Sequence, residues 1–346
     1  MAGGRLSLGA AIRVTATSGV SPGPAPGPAD PAGSPAGQGR PAPGRNNTWP
    51  FYIVTWVLAT ILAMVVTTLL AVGGLWGGWL PADLARRMTG ADHPATFLLA
   101  NGAVFAAFLG SFAVVIRMVH RRGFGDIVGR WRWPLFGAGA AAWTLALALL
   151  TFVDLALAPS GFSVTASPQT ATLAAAALAG LSVQTFAEEF VFRGYLTQGL
   201  LAATRRPWAA AALSGLIFGA VHIPNGWPQA ANATVFGVVL ALIAIRTGGI
   251  AFGFGLHLVN NLFGAVAVVS SQDVFRGAPA LVTQHTPQLM WWDTAAAAVA
   301  LVALAAAVLR RVPALVPDLQ DARSLPPGFH SATGGARKRG GQGRGT

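Results

Sequence analysis

The stretch PFYIVTWVLATILAMVVTTLLAV, residues 50–72, contains 23 residues and no charged side chain. About 20 consecutive apolar residues are enough for a helix to cross the hydrocarbon core of a bilayer. We therefore predict a transmembrane helix here. The chain of 346 residues is consistent with this prediction, because 53% of its residues are hydrophobic and only 10% are charged. This composition argues against an ordinary soluble domain and favours an all-α, polytopic membrane protein.

Further apolar segments of membrane-spanning length follow along the chain. We predict a helical bundle of about eight transmembrane helices. Their predicted ranges are 50–72, 96–116, 134–157, 171–203, 207–222, 229–245, 249–269 and 289–309. The fourth range is too long to cross upright, since its 33 residues would extend roughly 50 Å as a helix. We expect a strong tilt, or a break near Gly180, Gly194 or Gly199.

The two ends of the chain differ from the rest in composition. Residues 1–48 are rich in Pro, Gly and Ala, and residues 313–346 are rich in Gly and Arg. Such segments bury too little apolar surface to offset the entropy lost on folding. We predict two disordered tails that flank a transmembrane domain at 49–312. The chain has no cysteine, which excludes disulfide bonds and cysteine-ligated metal sites. The Ala, Gly, Pro and Arg bias is typical of a GC-rich bacterial source.

Basic residues predict the orientation of the helices. The arginines at 117–132, 205–206, 246 and 310–311 fall on one side of an alternating eight-helix arrangement, together with the N-terminal tail. Cytoplasmic loops of membrane proteins are enriched in Lys and Arg. We therefore predict a multi-pass protein of the cell membrane with both termini in the cytoplasm. The same rule explains the net charge of +12, and we expect no nucleic-acid partner because no reader motif accompanies it.

The segment FAEEFVFRGYL, residues 186–196, places three charged residues inside an apolar span. A charge near the bilayer centre costs ~2.5–3.5 kcal/mol, so Glu188, Glu189 and Arg193 require an explanation. Glu189 and Arg193 are four residues apart and can form an ion pair on one helix face. Glu188 lies about 100° around the helix from Glu189 and is left available as a general base. The alternative is that all three form a structural polar knot between helices.

Two other predicted spans contribute polar residues. His222 ends the fifth span in FGAVHIPNG, and His257 lies in the seventh in FGFGLHLVNNLFG. His257 and Asn261 are four residues apart and share a helix face, and Phe218 and His222 have the same spacing. A single membrane histidine is more often a hydrogen-bonding partner between helices than a catalyst. Together with the carboxylates, however, these residues favour a functional site.

The order and spacing of the motifs resemble the CAAX-protease and bacteriocin-processing family of intramembrane endopeptidases. The three motifs are EExxxR, FxxxH and HxxxN, on successive polar spans. Here they occupy Glu188–Arg193, Phe218–His222 and His257–Asn261, within a predicted catalytic core at about 170–270. The resemblance implies that Glu189 and Arg193 support the site structurally.

The resemblance also implies a reaction. Glu188 and His222 would activate a water molecule that hydrolyses a peptide bond. His257 and Asn261 would donate hydrogen bonds to the developing oxyanion. Peptide hydrolysis requires both a base for water and preorganised donors for the tetrahedral oxygen. The expected partners are a peptide or protein substrate at the membrane and the lipid bilayer itself.

The resemblance leaves open whether a metal takes part. Two histidines and one carboxylate can form a catalytic zinc site, and the ligands here would be Glu188, His222 and His257. No HExxH pattern, which would fix two ligands one turn apart, is present. We favour a site without a cofactor, with zinc as the alternative. Two other functions would use the same polar network: a membrane transporter, and a noncatalytic immunity or scaffold protein.

The depth of each residue can be counted along its helix. From the cytoplasmic helix ends, Glu188 lies roughly 22 Å up, His222 roughly 21 Å and His257 roughly 12 Å, at 1.5 Å per residue. We therefore expect Glu188 to lie beside His222, with His257 lower in the membrane.

Overall fold

The computed structural model describes residues 48–84, 93–271, 275–286 and 290–311. Apart from Thr48, the two predicted tails lie outside the described residues. Within these residues the chain forms a bundle of α-helices with three short strands. The helices are α1 (Trp49–Trp76), α2 (Pro94–His120), α3 (Phe124–Val128), α4 (Trp133–Leu157), α5 (Pro168–Glu188), α6 (Thr197–Thr204), α7 (Pro207–Ala220), α8 (Trp227–Thr247), α9 (Ala251–Leu262) and α10 (Met290–Arg311).

Six helices in the described part of the chain are long and apolar enough to cross a membrane. They are α1, α2, α4, the continuous helix Pro168–Thr204, α8 and α10. Two shorter apolar helices, Pro207–Ala220 and Ala251–Ala267, occupy the remaining predicted ranges. The prediction of a helical membrane bundle is confirmed. The crossing of the two short helices, and the cytoplasmic location of both termini, stay predictions.

Proline marks where most of these helices begin. A proline occupies the first or second position of α1, α2, α4, α5, α7 and α8. This position suits proline because the first amide groups of a helix have no intrahelical acceptor and the ring fixes a helical φ. Two helices end on an arginine in the left-handed region, Arg121 and Arg205, and α8 ends on Gly248 in the same region. The helix boundaries are therefore encoded locally.

The fourth predicted span is a continuous helix of 37 residues, Pro168–Thr204, and no break occurs at Gly180 or Gly199. Gly180 serves a different purpose, because it lets α2 approach closely. A Cβ atom on Gly102 of α2 would lie only 2.7 Å from the Gly180 Cα atom. Small residues at helix contacts allow this close approach in membrane proteins. Gly194 lies within a π-helical segment, Glu189–Leu196, which joins α5 to α6.

The long helix and α8 form the centre of the bundle. In each of them 44% of the most apolar window is buried, against 17% for α1, 11% for α10 and 6% for α4. The outer helices expose large apolar side chains such as Leu69, Leu145, Phe152 and Val299. These side chains form the surface expected to face lipid, since a bilayer solvates apolar groups. The charged residues of 186–196 consequently lie in the protein interior.

A small sheet covers one end of the bundle. Its strands are β1 (Phe162–Val164), β2 (Val268–Ser270) and β3 (Val282–Gln284), in the order β1-β3-β2. Strand β3 pairs antiparallel with β1 and parallel with β2. Because β1 precedes α5 and β2 follows α9, the sheet ties together the chain segments that bracket the candidate site.

Candidate active site

The candidate site begins on the π-helical segment Glu189–Leu196. The Thr197 amide donates to the Phe192 carbonyl, five residues earlier, which is the π pattern. Thr197 Oγ1 and Ser214 Oγ lie 2.8 and 3.2 Å from the same carbonyl oxygen. The hydroxyl of Ser214 therefore ties the segment to α7. π-helical turns within α-helices are rare and are frequently found at functional sites.

Glu189 and Arg193 form an ion pair inside the protein. Arg193 Nη1 lies 3.2 Å from Glu189 Oε1, and both side chains are 0% exposed. This is the pairing that the four-residue spacing indicates. The Arg193 guanidinium also lies 4.0 Å from the centre of the Phe218 ring, in cation–π geometry. Removing one member of a buried pair leaves an uncompensated buried charge, which is strongly destabilising. We therefore expect the fold to depend on both side chains.

His257 connects the two adjacent glutamates. Its Nδ1 lies 2.8 Å from Glu189 Oε1, and its Nε2 lies 3.6 Å from Glu188 Oε2. Because a carboxylate accepts hydrogen bonds, we assign the proton to Nδ1, which donates to Glu189. The rings of Phe218 and Phe236 pack edge-on against the imidazole, with centroids at 5.9 and 5.1 Å. The ring is therefore held with Nε2 directed towards Glu188.

Glu188 has a hydrogen-bonding partner besides His257. Gln184 Nε2 donates to Glu188 Oε1 at 2.9 Å, and Asn101 Nδ2 donates to Gln184 Oε1 at 2.6 Å. This chain of side chains crosses from α2 to α5. It leaves Oε2 facing His257, at a distance longer than a direct hydrogen bond. Only one oxygen of Glu188 is thus engaged by a hydrogen bond.

Asn261 lies one helical turn after His257 on the same helix. Asn261 Nδ2 donates to Thr185 Oγ1 at 3.0 Å, and Thr185 lies one turn before Glu189. Its neighbour Asn260 has a different partner, since Asn260 Oδ1 accepts from Trp143 Nε1 at 3.1 Å. The shared face of His257 and Asn261 therefore packs against α5, as their spacing indicates.

His222 lies two residues beyond the end of α7 and is half-buried. Its Nδ1 donates to the Phe218 carbonyl at 2.7 Å, and the two rings pack with centroids 4.5 Å apart. In the neutral imidazole this leaves Nε2 as an acceptor. Among the described residues, no hydrogen bond or ion pair joins His222 to Glu188. The Phe218 ring separates His222 from the buried pair.

The depth count along the helices is wrong for His257. It placed His257 below the glutamates, whereas the imidazole contacts both Glu188 and Glu189. The count assumed upright helices starting at one level, but α9 begins inside the bundle, where the Ile250 amide donates to the Val128 carbonyl at 3.2 Å. Glu188, Glu189, Arg193 and His257 therefore form one network, with His222 at its edge.

The residues proposed as zinc ligands do not form a metal-binding group. Within the described residues, no three His, Asp or Glu side chains are arranged to hold a metal ion. Both histidines donate from Nδ1, His257 to Glu189 and His222 to a backbone carbonyl, which leaves each Nε2 as the potential ligand atom. The three side chains nevertheless do not converge on one point, so the arrangement does not fit a zinc site built from Glu188, His222 and His257.

Several polar residues outside the three motifs complete the network. Gln184 and Thr185 lie four residues before Glu188 and Glu189, so helical spacing contained a signal for both. Asn101 of α2 carried no such signal, because its contact depends on how two helices pack. Gly253 of α9 permits a close contact of another kind: a Cβ atom there would lie 2.8 Å from Glu189 Oε2. Its hydrogen atom leaves the space that the carboxylate occupies.

The part of the chain that contains this site is similar to a known protein family. Residues 170–263 match the family model "Type II CAAX prenyl endopeptidase Rce1-like". Residues 170–263 are therefore similar to the Rce1-like domain. The resemblance predicted from the three motifs is therefore confirmed, and the Rce1-like domain contains every candidate site residue named above except Asn101 and Trp143. It extends from α5 to the first residue after α9. The matched family is described as one of endopeptidases.

The similarity to one relative extends beyond the Rce1-like domain. A Bacillus subtilis (strain 168) protein named "Uncharacterized protein YyaK" is 25% identical over 274 residues. The alignment covers 73% of this chain and 88% of that protein. The shared region therefore includes much of the helical bundle as well as the Rce1-like domain. No solved structure matched the chain.

Proposed function

We propose that this protein is an intramembrane endopeptidase that hydrolyses a peptide bond of a membrane-associated peptide or protein. The observation that carries the proposal is the position of His257, held by Glu189 and directed at Glu188. This network lies inside the Rce1-like domain and is almost entirely buried. Buried ionisable groups inside a membrane protein are costly, and such groups usually serve a function.

Glu188 is the proposed general base, acting with His222. A water molecule loses one proton to Glu188 while its oxygen attacks the carbonyl carbon of the scissile bond. Glu188 suits this role because its Oε2 accepts no direct hydrogen bond, whereas Oε1 is fixed by Gln184. The Nε2 atom of His222 is available as an acceptor at the edge of the same network. The proton then passes to the amide nitrogen as the C–N bond breaks.

His257 and Asn261 are the proposed donors to the tetrahedral oxygen. In its protonated form, His257 presents an Nε2–H group on the side that faces Glu188. Glu189 accepts from Nδ1 and so orients the ring. The Asn261 amide group lies one turn away on the same face of α9. Such preorganised donors stabilise negative charge where it develops in the transition state.

Cleavage by the purified protein tests this proposal. We expect Glu188→Gln to lower the cleavage rate of a quenched-fluorescence peptide library by at least ~100-fold, because the amide cannot accept the proton from water. Asp154→Asn is the matched control, since Asp154 is another carboxylate within an apolar helix, where its partner is Asp293. The control should retain wild-type activity. Equal activity of Glu188→Gln and wild type, with both folded, would refute the assignment.

A chelator separates the two forms of the proposed chemistry. We expect cleavage to continue after exhaustive treatment with a zinc chelator, because the described residues offer no three-ligand group. Loss of cleavage on chelation, with recovery on adding zinc, would contradict the metal-free mechanism. An absence of any cleavage by the wild type would favour the transporter or the noncatalytic immunity or scaffold role.

A further inference from the structure

Arg193 lacks hydrogen-bond acceptors in a fully buried position. Its guanidinium has five N–H groups, and its side chain is 0% exposed. Within the described residues, neither Nε, Nη1 nor Nη2 has an acceptor in good hydrogen-bond geometry, although Nη1 lies 3.2 Å from Glu189 Oε1. Glu189 Oε2 likewise has no hydrogen-bond donor there. Buried polar groups are nearly always hydrogen-bonded to protein or to ordered water.

A cavity lies directly beside the Arg193 side chain. It offers about 50 Å³ for the centres of water-sized molecules. Its walls come from α3, from the π segment with the start of α6, and from the end of α8 with the turn that leads to α9. The polar wall residues are Arg193, Thr197, Gln198 and Asp126. Asp126 is exposed, whereas Arg193 and Thr197 are buried, so the cavity leads from the protein surface to the ion pair.

The size and the charge of the cavity indicate which molecules it can hold. One buried water needs roughly 10–15 Å³ and two to four polar partners, so the cavity has room for several waters and none for a peptide. An anion is disfavoured because the carboxylate of Asp126 lines the cavity and Arg193 is already paired with Glu189 on the far side of the guanidinium. The neighbouring cation Arg122 is engaged by the Asp126 carbonyl and by Gln198. Water is neutral and supplies the acceptors that the guanidinium requires.

We infer that this cavity holds a chain of water molecules that hydrates Arg193 and connects the Glu189–Arg193 pair to the aqueous face of the protein. That face carries the arginine-rich segment 117–132 and Arg246, which predict the cytoplasmic side. Non-helical backbone at the turn between α8 and α9 fits this location, since irregular backbone at membrane depth is tolerated where it lines a watery cavity.

The water chain approaches the site from the side of the Glu189–Arg193 pair. Glu189 Oε1 contacts both Arg193 and His257, so the waters approach the His257 network through Glu189 and away from the oxygen of Glu188 that faces the imidazole. The inference stands independently of proteolysis, because it depends only on the buried cation and the cavity.

Silver ion is a suitable probe because it is nearly as small as water, travels only through water and reacts with thiols. The chain has no cysteine, so one introduced thiol reports alone. Thr197→Cys places the thiol on the cavity wall, four residues after Arg193. We expect Ag⁺ added to the face of the arginine-rich loop in membrane vesicles to block this thiol rapidly. The blocked fraction is measured by maleimide labelling after denaturation.

Two further variants test whether the route is this cavity. Ala244→Leu adds three carbon atoms to the cavity wall, and we expect it to slow Ag⁺ blocking of Thr197→Cys by at least ~10-fold, since a filled cavity excludes water. Ala202→Leu is the matched control, because it makes the same change at an exposed position of α6 that does not line the cavity. It should leave the rate unchanged.

Three outcomes would overturn the inference. The thiol of Thr197→Cys could stay unreacted in folded protein while labelling fully after denaturation. It could react only from the opposite face. Ag⁺ could block the thiol equally fast in Thr197→Cys alone and in its combinations with Ala244→Leu and with Ala202→Leu.

A second comparison covers the case in which Ala244→Leu fails to fold. Ala244 lines the cavity, whereas Leu242 lies about 200° away around the same helix and does not line it. Ag⁺ should therefore block Ala244→Cys much faster than Leu242→Cys, and equal rates would contradict the inference. The readout requires no enzymatic activity, so it is separate from the test of proteolysis.

Discussion

Glu189 has two charged or polar partners, whereas Arg193 has a single carboxylate within 4 Å. Because of this asymmetry, we expect the two side chains to contribute unequally to the stability of the fold. Glu189→Ala leaves Arg193 as a buried cation without its ion-pair partner, and it also frees the His257 ring. Arg193→Ala leaves Glu189 with its hydrogen bond from His257.

We therefore predict that Glu189→Ala lowers the free energy of unfolding by about 3–5 kcal/mol, as expected for breaking a buried pair. Arg193→Ala should lower the free energy of unfolding by less than Glu189→Ala does. The measurement is chemical unfolding in detergent micelles, monitored by tryptophan fluorescence. Glu188→Gln is the control and should change stability little, because Gln keeps the shape of the side chain. Equal losses from Glu189→Ala and Arg193→Ala would contradict the assigned network.

Asn261 is the second residue whose role can be separated from packing. We predict that Asn261→Ala lowers kcat about 10²–10³-fold with little change in KM, the usual loss when one oxyanion donor is removed. Thr185→Val removes the same hydrogen bond while keeping the asparagine amide. If Thr185→Val reduces kcat as much as Asn261→Ala, Asn261 acts only by positioning α9 against α5. Peptide cleavage kinetics with both variants distinguish these roles.

At the scale of helices, glycine contacts fix how the candidate residues meet. Gly102 of α2 packs directly on Gly180 of α5, so a methyl group there meets backbone rather than a movable side chain. Asn101, the preceding residue, makes the hydrogen bond to Gln184 that holds Glu188. The close approach of α2 and α5 therefore also positions the proposed base.

We predict that Gly102→Ala destabilises the protein by about 1–3 kcal/mol, as overpacking of a tight contact does, and also reduces cleavage. Gly110→Ala is the matched control on the same helix, because a Cβ atom there meets nothing within 4 Å. It should be neutral or stabilising by up to about 1 kcal/mol, since alanine loses less entropy than glycine in a helix. Thermal unfolding of both variants in detergent checks the difference. If Gly102→Ala leaves the thermal stability unchanged, α2 can move away from α5 at little cost.

For the whole molecule, α4 relates the arginine-rich loop to the small sheet. The helix has 25 residues and extends about 37 Å, more than the roughly 30 Å of a bilayer core. It begins directly after the arginine-rich segment 117–132 and ends before β1. The two ends of the bundle should therefore face opposite sides of the membrane.

We predict that single cysteines at Gly125 and Ser160 label from opposite sides with a membrane-impermeant maleimide. Both positions are exposed, and Gly125 has open space around it. Ser160→Cys should label in intact cells, and Gly125→Cys only after permeabilisation. Labelling of both from the same side would mean that α4 does not cross the membrane. Labelling in the reverse sense would keep the crossing and reverse the predicted orientation.

The sequence by itself determined the helical membrane class, the positions of the apolar helices and the pairing of Glu189 with Arg193. These properties depend on composition and on the helical repeat, which acts within one segment of chain. The ordered motifs also indicated the family that the Rce1-like match confirms.

Only the tertiary structure decided which histidine meets the glutamates. His257 contacts both of them, and His222 stands behind the Phe218 ring. It also supplied the π-helical segment, the Asn101–Gln184 bond and the space beside Gly253. Each of these depends on the rotation and depth of one helix against another. Those quantities follow from close backbone contacts such as Gly102–Gly180, and the periodicity of a single helix does not contain them.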